Sequence, residues 1–200
     1  SALSISSELY IQITIKEVID LVLSNDPEVA VDLGCGSGFV VEAIAENQSH
    51  IQSVGVDIDE VKNFSNLENV SYIKGDVTTP EEWIDQMPLG RTVLVASMVM
   101  HEFLYYGEGN LITILNKYSK YFKGSLLYLV ESDGHTYDQL KQLPAGYKES
   151  VSFYQSMHPF TKQGMPLNTA MWNDFFHKHD LHLIKSFSFQ PNVTVYCLQL

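Results

Sequence analysis

Two hundred residues, 45% hydrophobic and 18% charged, are enough for one globular domain with a sizeable core and argue against disorder. Twelve Lys and Arg against 24 Asp and Glu leave a formal net charge of −12, which opposes nucleic-acid phosphate and anionic lipid, so no nucleic-acid or membrane partner is expected. Arg91 is the only arginine, so an anionic group must be held by backbone amides or a metal rather than by a cluster of guanidinium groups.

In chain order, residues 7–23 place Leu9, Ile13, Val18, Ile19 and Val22 at helical spacing behind Ser6 or Ser7 as N-cap, which predicts a leading helix. Residues 29–33 (VAVDL) form an apolar run broken by a glycine-rich turn, after which FVVEAIAEN resumes with a helical period: strand, tight turn, helix. The alternation continues through SVGVDI with a turn and a short helix, VSYIKGD with a helix near EEWIDQM, TVLVASM with a helix across NLITILNKYSKYF, and SLLYLVES. Strands alternating with helices imply right-handed crossovers and a mostly parallel sheet covered on both faces.

Between Ser132 and Asn168 the pattern dissolves among Gly134, Pro144, Gly146, Pro159, Gly164 and Pro166, predicting a long active-site loop over about residues 132–167. Tyr137, Tyr147, Phe153 and Tyr154 within it argue against disorder. TAMWNDFFHKH then reads as a helix, and HLIKSFSFQ and NVTVYCLQL as two strands joined at Pro191-Asn192, an antiparallel hairpin at one edge of the sheet. No repeat or composition shift divides residues 1–200, so a single domain is expected.

Cys35 and Cys197 are too few for a disulfide scaffold or a four-cysteine zinc site. The first residues lack a basic and apolar leader, and no window approaches the roughly 18 apolar residues of a membrane span. A reduced, soluble, cytoplasmic chain is the expectation. It begins without Met and reads as a processed or excised piece of something longer.

The turn Asp32-Leu33-Gly34-Cys35-Gly36-Ser37-Gly38 lets a ligand lie directly on the backbone, since glycines lack Cβ atoms. Asp32 would repel a pyrophosphate there, yet suits an ammonium group. The second strand ends at Asp57, where a carboxylate can accept both ribose hydroxyls, and the third at Asp76, where an adenine amino group could donate. Three strand ends thus present three acids to a cationic ligand bearing ribose and adenine.

VDLGCGSG, VGVDID, YIKGDV and TVLVASM resemble, in order and spacing, the motifs of class I S-adenosylmethionine (SAM)-dependent methyltransferases over roughly residues 25–130. The resemblance implies a Rossmann-like α/β fold with a seven-stranded, mostly parallel sheet, a C-terminal antiparallel hairpin and helices on both faces. It puts Asp32, Gly34 and Gly36 around the methionine moiety, Asp57 on the ribose, Asp76 and Val77 beside the adenine and Ser97 under the sulfonium. Cys35 and Ile58 complete the cofactor-binding set.

Methyl transfer is an in-line displacement at a carbon the sulfonium already activates, so the protein mainly positions the acceptor and manages its proton. His101 and Glu102, just past the fourth strand, are the candidate catalytic residues, the histidine as general base or metal ligand. His101, His158, Gln163 and Glu131 could together surround a mononuclear divalent metal (Fe, Mn or Zn) with positions open to a chelating substrate. The HEF after strand four and HPFTKQ before the W-x-x-F-F helix resemble a branch of metal-dependent C-methyltransferases of natural-product (polyketide and α-keto acid) pathways. That branch implies an enolisable small molecule or an acyl group bound to a carrier protein as the substrate, its carbonyl held by the metal. Two other readings stand beside it. One is a metal-independent O-methyltransferase with His101 as general base and Tyr105, Tyr106 and the loop aromatics lining an apolar acceptor pocket. The other is a non-catalytic methyltransferase-like module of a larger assembly.

Overall fold

The computed structural model of the chain describes residues 15–61, 66–190 and 192–200. Strand β1 (Val29–Leu33) is buried along its whole length, as a short apolar run must be when strands flank both edges and helices cover both faces. Its neighbours, both parallel, are β2 (Gln52–Asp57) and β4 (Thr92–Ser97), which places Asp32 beside Gly55 on one side and Val95 on the other. β3 (Val70–Lys74) pairs in parallel with β2, and β5 (Leu126–Ser132) with β4. β7 (Val193–Gln199) inserts antiparallel between β5 and β6 (His182–Gln190), giving the order β3-β2-β1-β4-β5-β7-β6. This is the seven-stranded, mostly parallel sheet with a terminal antiparallel hairpin that the motifs implied. β6 is left at the edge, and its Lys185 and two register irregularities suit an edge that must not recruit further strands.

Alternate residues along the strands feed two helical layers, because successive side chains point to opposite faces. Val31, Leu33, Leu94, Leu127 and Leu129 meet α3 (Glu108–Tyr121) and α6 (Thr169–Lys178). Ala30, Val93, Val95, Tyr128 and Val130 meet α1, described over residues 15–23, and α2 (Phe39–Asn47). Trp172, Phe175 and Phe176 of α6 are buried; Trp172 stacks on Phe176, and both rings meet Tyr196 of β7, which anchors the hairpin to the sheet.

The structure departs from the sequence reading in two places. Residues 132–167 are not a loop: they hold α4 (Tyr137–Gln142) and the 17-residue α5 (Ala145–Thr161). Pro144 sits at the N-cap of α5, where no N–H is needed, whereas Pro159 lies inside the helix near its C-terminal end and forgoes one hydrogen bond of the ladder. A face formed by Val151, Tyr154 and His158 is buried and supplies the packing that the turn-forming residues seemed to forbid. The helix expected near EEWIDQM is two short 3-10 turns, Pro80–Glu82 and Ile84–Gln86. The short helix expected after β2 falls partly on residues 62–65, outside the described residues, and its described flanks are not helical. The Ser6 or Ser7 cap and Pro191 also lie outside the described residues. Among the described residues no helix is long and apolar enough to cross a membrane, and both cysteines are buried free thiols.

Candidate active site

Parallel strands that end side by side leave a crevice beyond their carboxyl ends, where ligands of open α/β sheets bind. The turns after β1, β2, β3 and β4 wall a cavity of about 510 Å³ there. Asp32, Gly34, Cys35 and Gly36 line it from the first turn, and Asp57 and Ile58 from the second. Asp76 and Val77 come from the third and Ser97 from the fourth, so every residue of the sequence-derived cofactor set borders one space.

The glycine turn is shaped by contact as well as by dihedral angle. Gly34 (φ +69°) passes against Val99, whose Cγ2 would stand 2.9 Å from a Cβ there. Gly38 (φ +83°) caps α2 and abuts the ring of Tyr72, leaving a Cβ no room. The turn is tied to β2: Gly34 and Cys35 donate their N–H groups to Val56 O at 2.8 and 3.1 Å, and Gly36 N–H donates to Asp57 Oδ2 at 2.8 Å. Asp59 N–H holds the other oxygen of Asp57 at 3.0 Å, which fixes the carboxylate yet leaves lone pairs for hydroxyl donors. Asp76 Oδ1 is fixed by Thr78 N–H at 2.8 Å. Asp32 differs, for it is buried and its Oδ1 has no hydrogen-bond partner. Burial, and then the charge of Asp57, push its carboxyl up to about 8. The Cys35 thiol is pushed up for the same reasons, burial first and then Asp32 and Asp57, so it is a poor nucleophile. Among the described residues no Lys or Arg side chain lines the cavity.

Beyond β4 the backbone turns through Met98 (φ +56°) into a 3-10 helix, Met100–Tyr106, that carries His101 and Glu102. His101 is 1% exposed. Its Nδ1 lies 2.5 Å from Glu131 Oε2, while Glu131 Oε1 accepts the N–H groups of Met100 at 3.1 Å and His101 at 3.3 Å. Its Nε2 faces His158 Nε2 at 3.0 Å. His158 Nδ1 donates to Tyr154 O at 2.8 Å, so its Nε2 is the bare acceptor and the proton between the rings belongs to His101. Burial opposes a charge on His101, but the attraction and hydrogen bond of Glu131 outweigh it and hold the imidazole above its ordinary range. Burial and the His101 charge push His158 down to about 4. The arrangement is an imidazolium between a carboxylate and a neutral imidazole. His158 lines the cavity, and His101 and Glu131 stand behind it.

Glu102 also lines the cavity, and its Oε1 accepts Gln163 Nε2–H at 2.5 Å. Gln163 Oε1 in turn accepts Thr161 Oγ1–H at 2.6 Å. Burial raises the Glu102 carboxyl above its usual range, with His101 pulling the other way and the charges of Glu131 and Asp57 adding to the rise. The metal set read from the sequence therefore assembles only in part. Glu131 is turned to Nδ1 of His101 rather than toward a point shared with His158, and the Gln163 amide is held by Glu102 and Thr161. Among the described residues no group of three or more His, Cys, Asp or Glu side chains is arranged to hold a metal ion. Two facing imidazole nitrogens fall short of the three protein ligands of a catalytic site.

Sequence reasoning missed Phe39, Val99 and Phe103 as walls of the cavity, whereas Tyr154, one of the aromatics expected to line an acceptor pocket, is among them. Tyr154 and His158 are one helical turn apart, a signal hidden by reading that segment as a loop. Tyr105, expected in an acceptor pocket, instead borders a separate apolar hollow with Leu104, Pro159, Met165 and Leu167, and Tyr106 is exposed.

The fold is the one seen in solved structures of SAM-dependent methyltransferases. Among solved structures, human N-acetylserotonin methyltransferase in complex with SAM matches with a TM-score of 0.71 at 15% identity, over 98% of this chain and 55% of that one. PigF with SAH (S-adenosylhomocysteine) matches with a TM-score of 0.70 at 14% identity, over 96% of this chain and 56% of that one. The mitomycin 7-O-methyltransferase MmcR matches with a TM-score of 0.68 at 14% identity, over 94% of this chain and 54% of that one. The chain thus spans just over half the length of these structures. No protein-family model matches it, and neither does any curated protein.

Proposed function

We propose that this chain is the catalytic core of a SAM-dependent methyltransferase that methylates a hydroxyl group of a small molecule without a metal. The observation that carries the reading is a cavity lined, among the described residues, by four acids and no Lys or Arg at the strand ends of a methyltransferase fold, backed by a carboxylate-held imidazole. Asp32 suits the ammonium group of the methionine moiety, Asp57 the ribose hydroxyls and Asp76 the adenine edge. Bound SAM would supply a methyl carbon already activated by its sulfonium. The chain's own task is to place the acceptor oxygen in line with that carbon and to take its proton. When the oxygen displaces His158 from Nε2 of His101, the imidazolium first gives its Nε2 proton to solvent; the neutral ring then accepts the hydroxyl proton as the oxygen takes the methyl group, and Glu131 stabilises the imidazolium that re-forms. The O-methyltransferase among the matched structures supports oxygen as the acceptor atom.

The second reading is a metal-assisted C-methyltransferase on an enolisable or carrier-bound acyl substrate. It keeps one observation in its favour, the facing Nε2 atoms of His101 and His158 at 3.0 Å, close to the roughly 3.3 Å between neighbouring nitrogens on a tetrahedral ion. It lacks a third donor. Calorimetry with SAM, followed by methyl transfer after exhaustive chelation and elemental analysis, separates the readings. Tight SAM binding with turnover unchanged by chelation is expected. Turnover abolished by chelation and restored by one divalent metal would establish the second reading, and SAM binding without turnover on any acceptor would indicate a non-catalytic module.

A further inference from the structure

Asp32, Asp57, Asp76 and Glu102 share one cavity, and among the described residues no Lys or Arg lines it. The first three belong to turns that the cofactor of the proposed reaction would cover. Glu102 comes from the segment after β4 and stands beside Gln163, just past the end of α5. Thr161 fixes the orientation of Gln163, so that its Nε2–H meets Oε1 of Glu102. Among the described residues no donor reaches Oε2, which is left to a ligand. A second observation points the same way: the buried Oδ1 of Asp32 has no partner and calls for a donor or a positive charge.

SAM carries two cationic groups and one carboxylate, so its single net positive charge leaves these acids in excess. A carboxylate or phosphate on the acceptor would enter a poorly solvated space against like charges, where the nearby His101 imidazolium is already paired with Glu131 and, among the described residues, no Lys or Arg lines the walls. Uncharged hydroxyls and ammonium groups face no such opposition, and Glu102 offers them an acceptor.

We propose that this site selects its acceptor by charge: it takes a small uncharged or cationic hydroxy compound whose donor group is received by Glu102, and it rejects carboxylates and phosphates. The inference rests on the methyltransferase reading above and narrows its substrate class. Malonyl-type and α-keto acid acceptors are among those it excludes.

Ligand-observed NMR on SAH-saturated protein tests it, using matched triplets that carry a carboxylate, a neutral hydroxyl or an amine on one skeleton, such as 4-hydroxyphenylacetate, tyrosol and tyramine. The SAH dissociation constant of each protein is measured first, so that occupancy is equal. Carboxylate members are expected to bind at least tenfold more weakly than their partners, and Glu102→Gln to shrink that gap below threefold. Equal or tighter binding of the carboxylates overturns the proposal, as does a gap that Glu102→Gln leaves unchanged or a site that takes none of the three classes. Failure of SAH itself to bind is a separate result that removes the methyltransferase reading, and this inference with it.

Discussion

His101 Nδ1 and Glu131 Oε2 stand 2.5 Å apart with both side chains 1% exposed, so each depends on the other for the charge it carries in an otherwise apolar setting. Glu131→Ala leaves His101 buried without its partner and is expected to cost about 3–5 kcal/mol of stability. The pH dependence has a definite sign. His101 is raised above its unfolded value, so its contribution is complete below about pH 6.5 and fades as pH climbs through the raised folded value. Urea melts of the wild type and Glu131→Gln at pH 6 and pH 9 should show the wild-type advantage shrinking at the higher pH. An advantage that grows instead would contradict the imidazolium assignment.

Asp32 behaves in the opposite manner from a salt-bridged acid. Its folded carboxyl lies at about 8 against about 3.9 unfolded, so its contribution is present at low pH and is lost as pH rises through 8. Asp32→Asn should therefore stabilise the ligand-free protein at pH 8.5 by up to a few kcal/mol, with a smaller gain at pH 5. The same change should weaken SAM binding, at least tenfold, by removing the partner of its ammonium group. Thermal melts of the ligand-free variant at the two pH values and calorimetry with SAM check the two halves independently.

Proton linkage gives a further measurement at this residue. An ammonium group bound against Asp32 lowers the carboxyl again, so SAM binding near pH 7 should release protons. Calorimetric titrations in two buffers of different ionisation enthalpy should give apparent enthalpies that differ by that release, and the difference should vanish in Asp32→Asn. Identical wild-type enthalpies in both buffers would count against an ammonium at this position.

Gly38 is left-handed and lies against the Tyr72 ring, so Gly38→Ala combines an unfavourable dihedral with a collision. A loss of about 1–3 kcal/mol is expected by denaturant melting. Tyr72→Ala in the same chain should recover part of the loss by removing the ring. No recovery would mean that the dihedral alone sets the cost.

Trp172 is fully buried against Phe176 and Tyr196, yet its Nε1 finds no acceptor. Trp172→Ala should lose about 3–5 kcal/mol through the cavity it leaves. Trp172→Phe should lose less than about 2 kcal/mol, because it keeps a stacked ring and removes an unsatisfied donor. Urea melts of the pair suffice, and equal losses would show that the orphan N–H carries no penalty.

Much of the strand-end cavity was legible without coordinates because its rules act over a few residues. A buried run that ends in glycines makes a strand and a tight turn, and the acid after each strand falls at the carboxyl edge of the sheet once the strands are parallel. Asp32, Asp57 and Asp76 meet around one cavity for that reason. Residues 132–167 were misread because Pro and Gly were weighed as breakers without knowing where in a helix they would sit. Pro144 falls at the N-cap of α5, where the backbone tolerates it, and Pro159 stays inside the helix because the buried face of Val151, Tyr154 and His158 holds the segment against the fold.

The residues by themselves determined an acidic α/β domain with a glycine turn, three strand-end acids and a histidine beyond the fourth strand. What each chemical group faces was decided by tertiary structure. Parallel pairing of β4 and β5 brings Glu131 onto Nδ1 of His101, thirty residues away, as an orienting partner and not as a ligand beside it. Docking of α5 brings His158 onto Nε2 across 57 residues and leaves His158, not His101, at the cavity wall. Such contacts depend on how layers pack, and packing at that separation leaves no periodic signature along the chain.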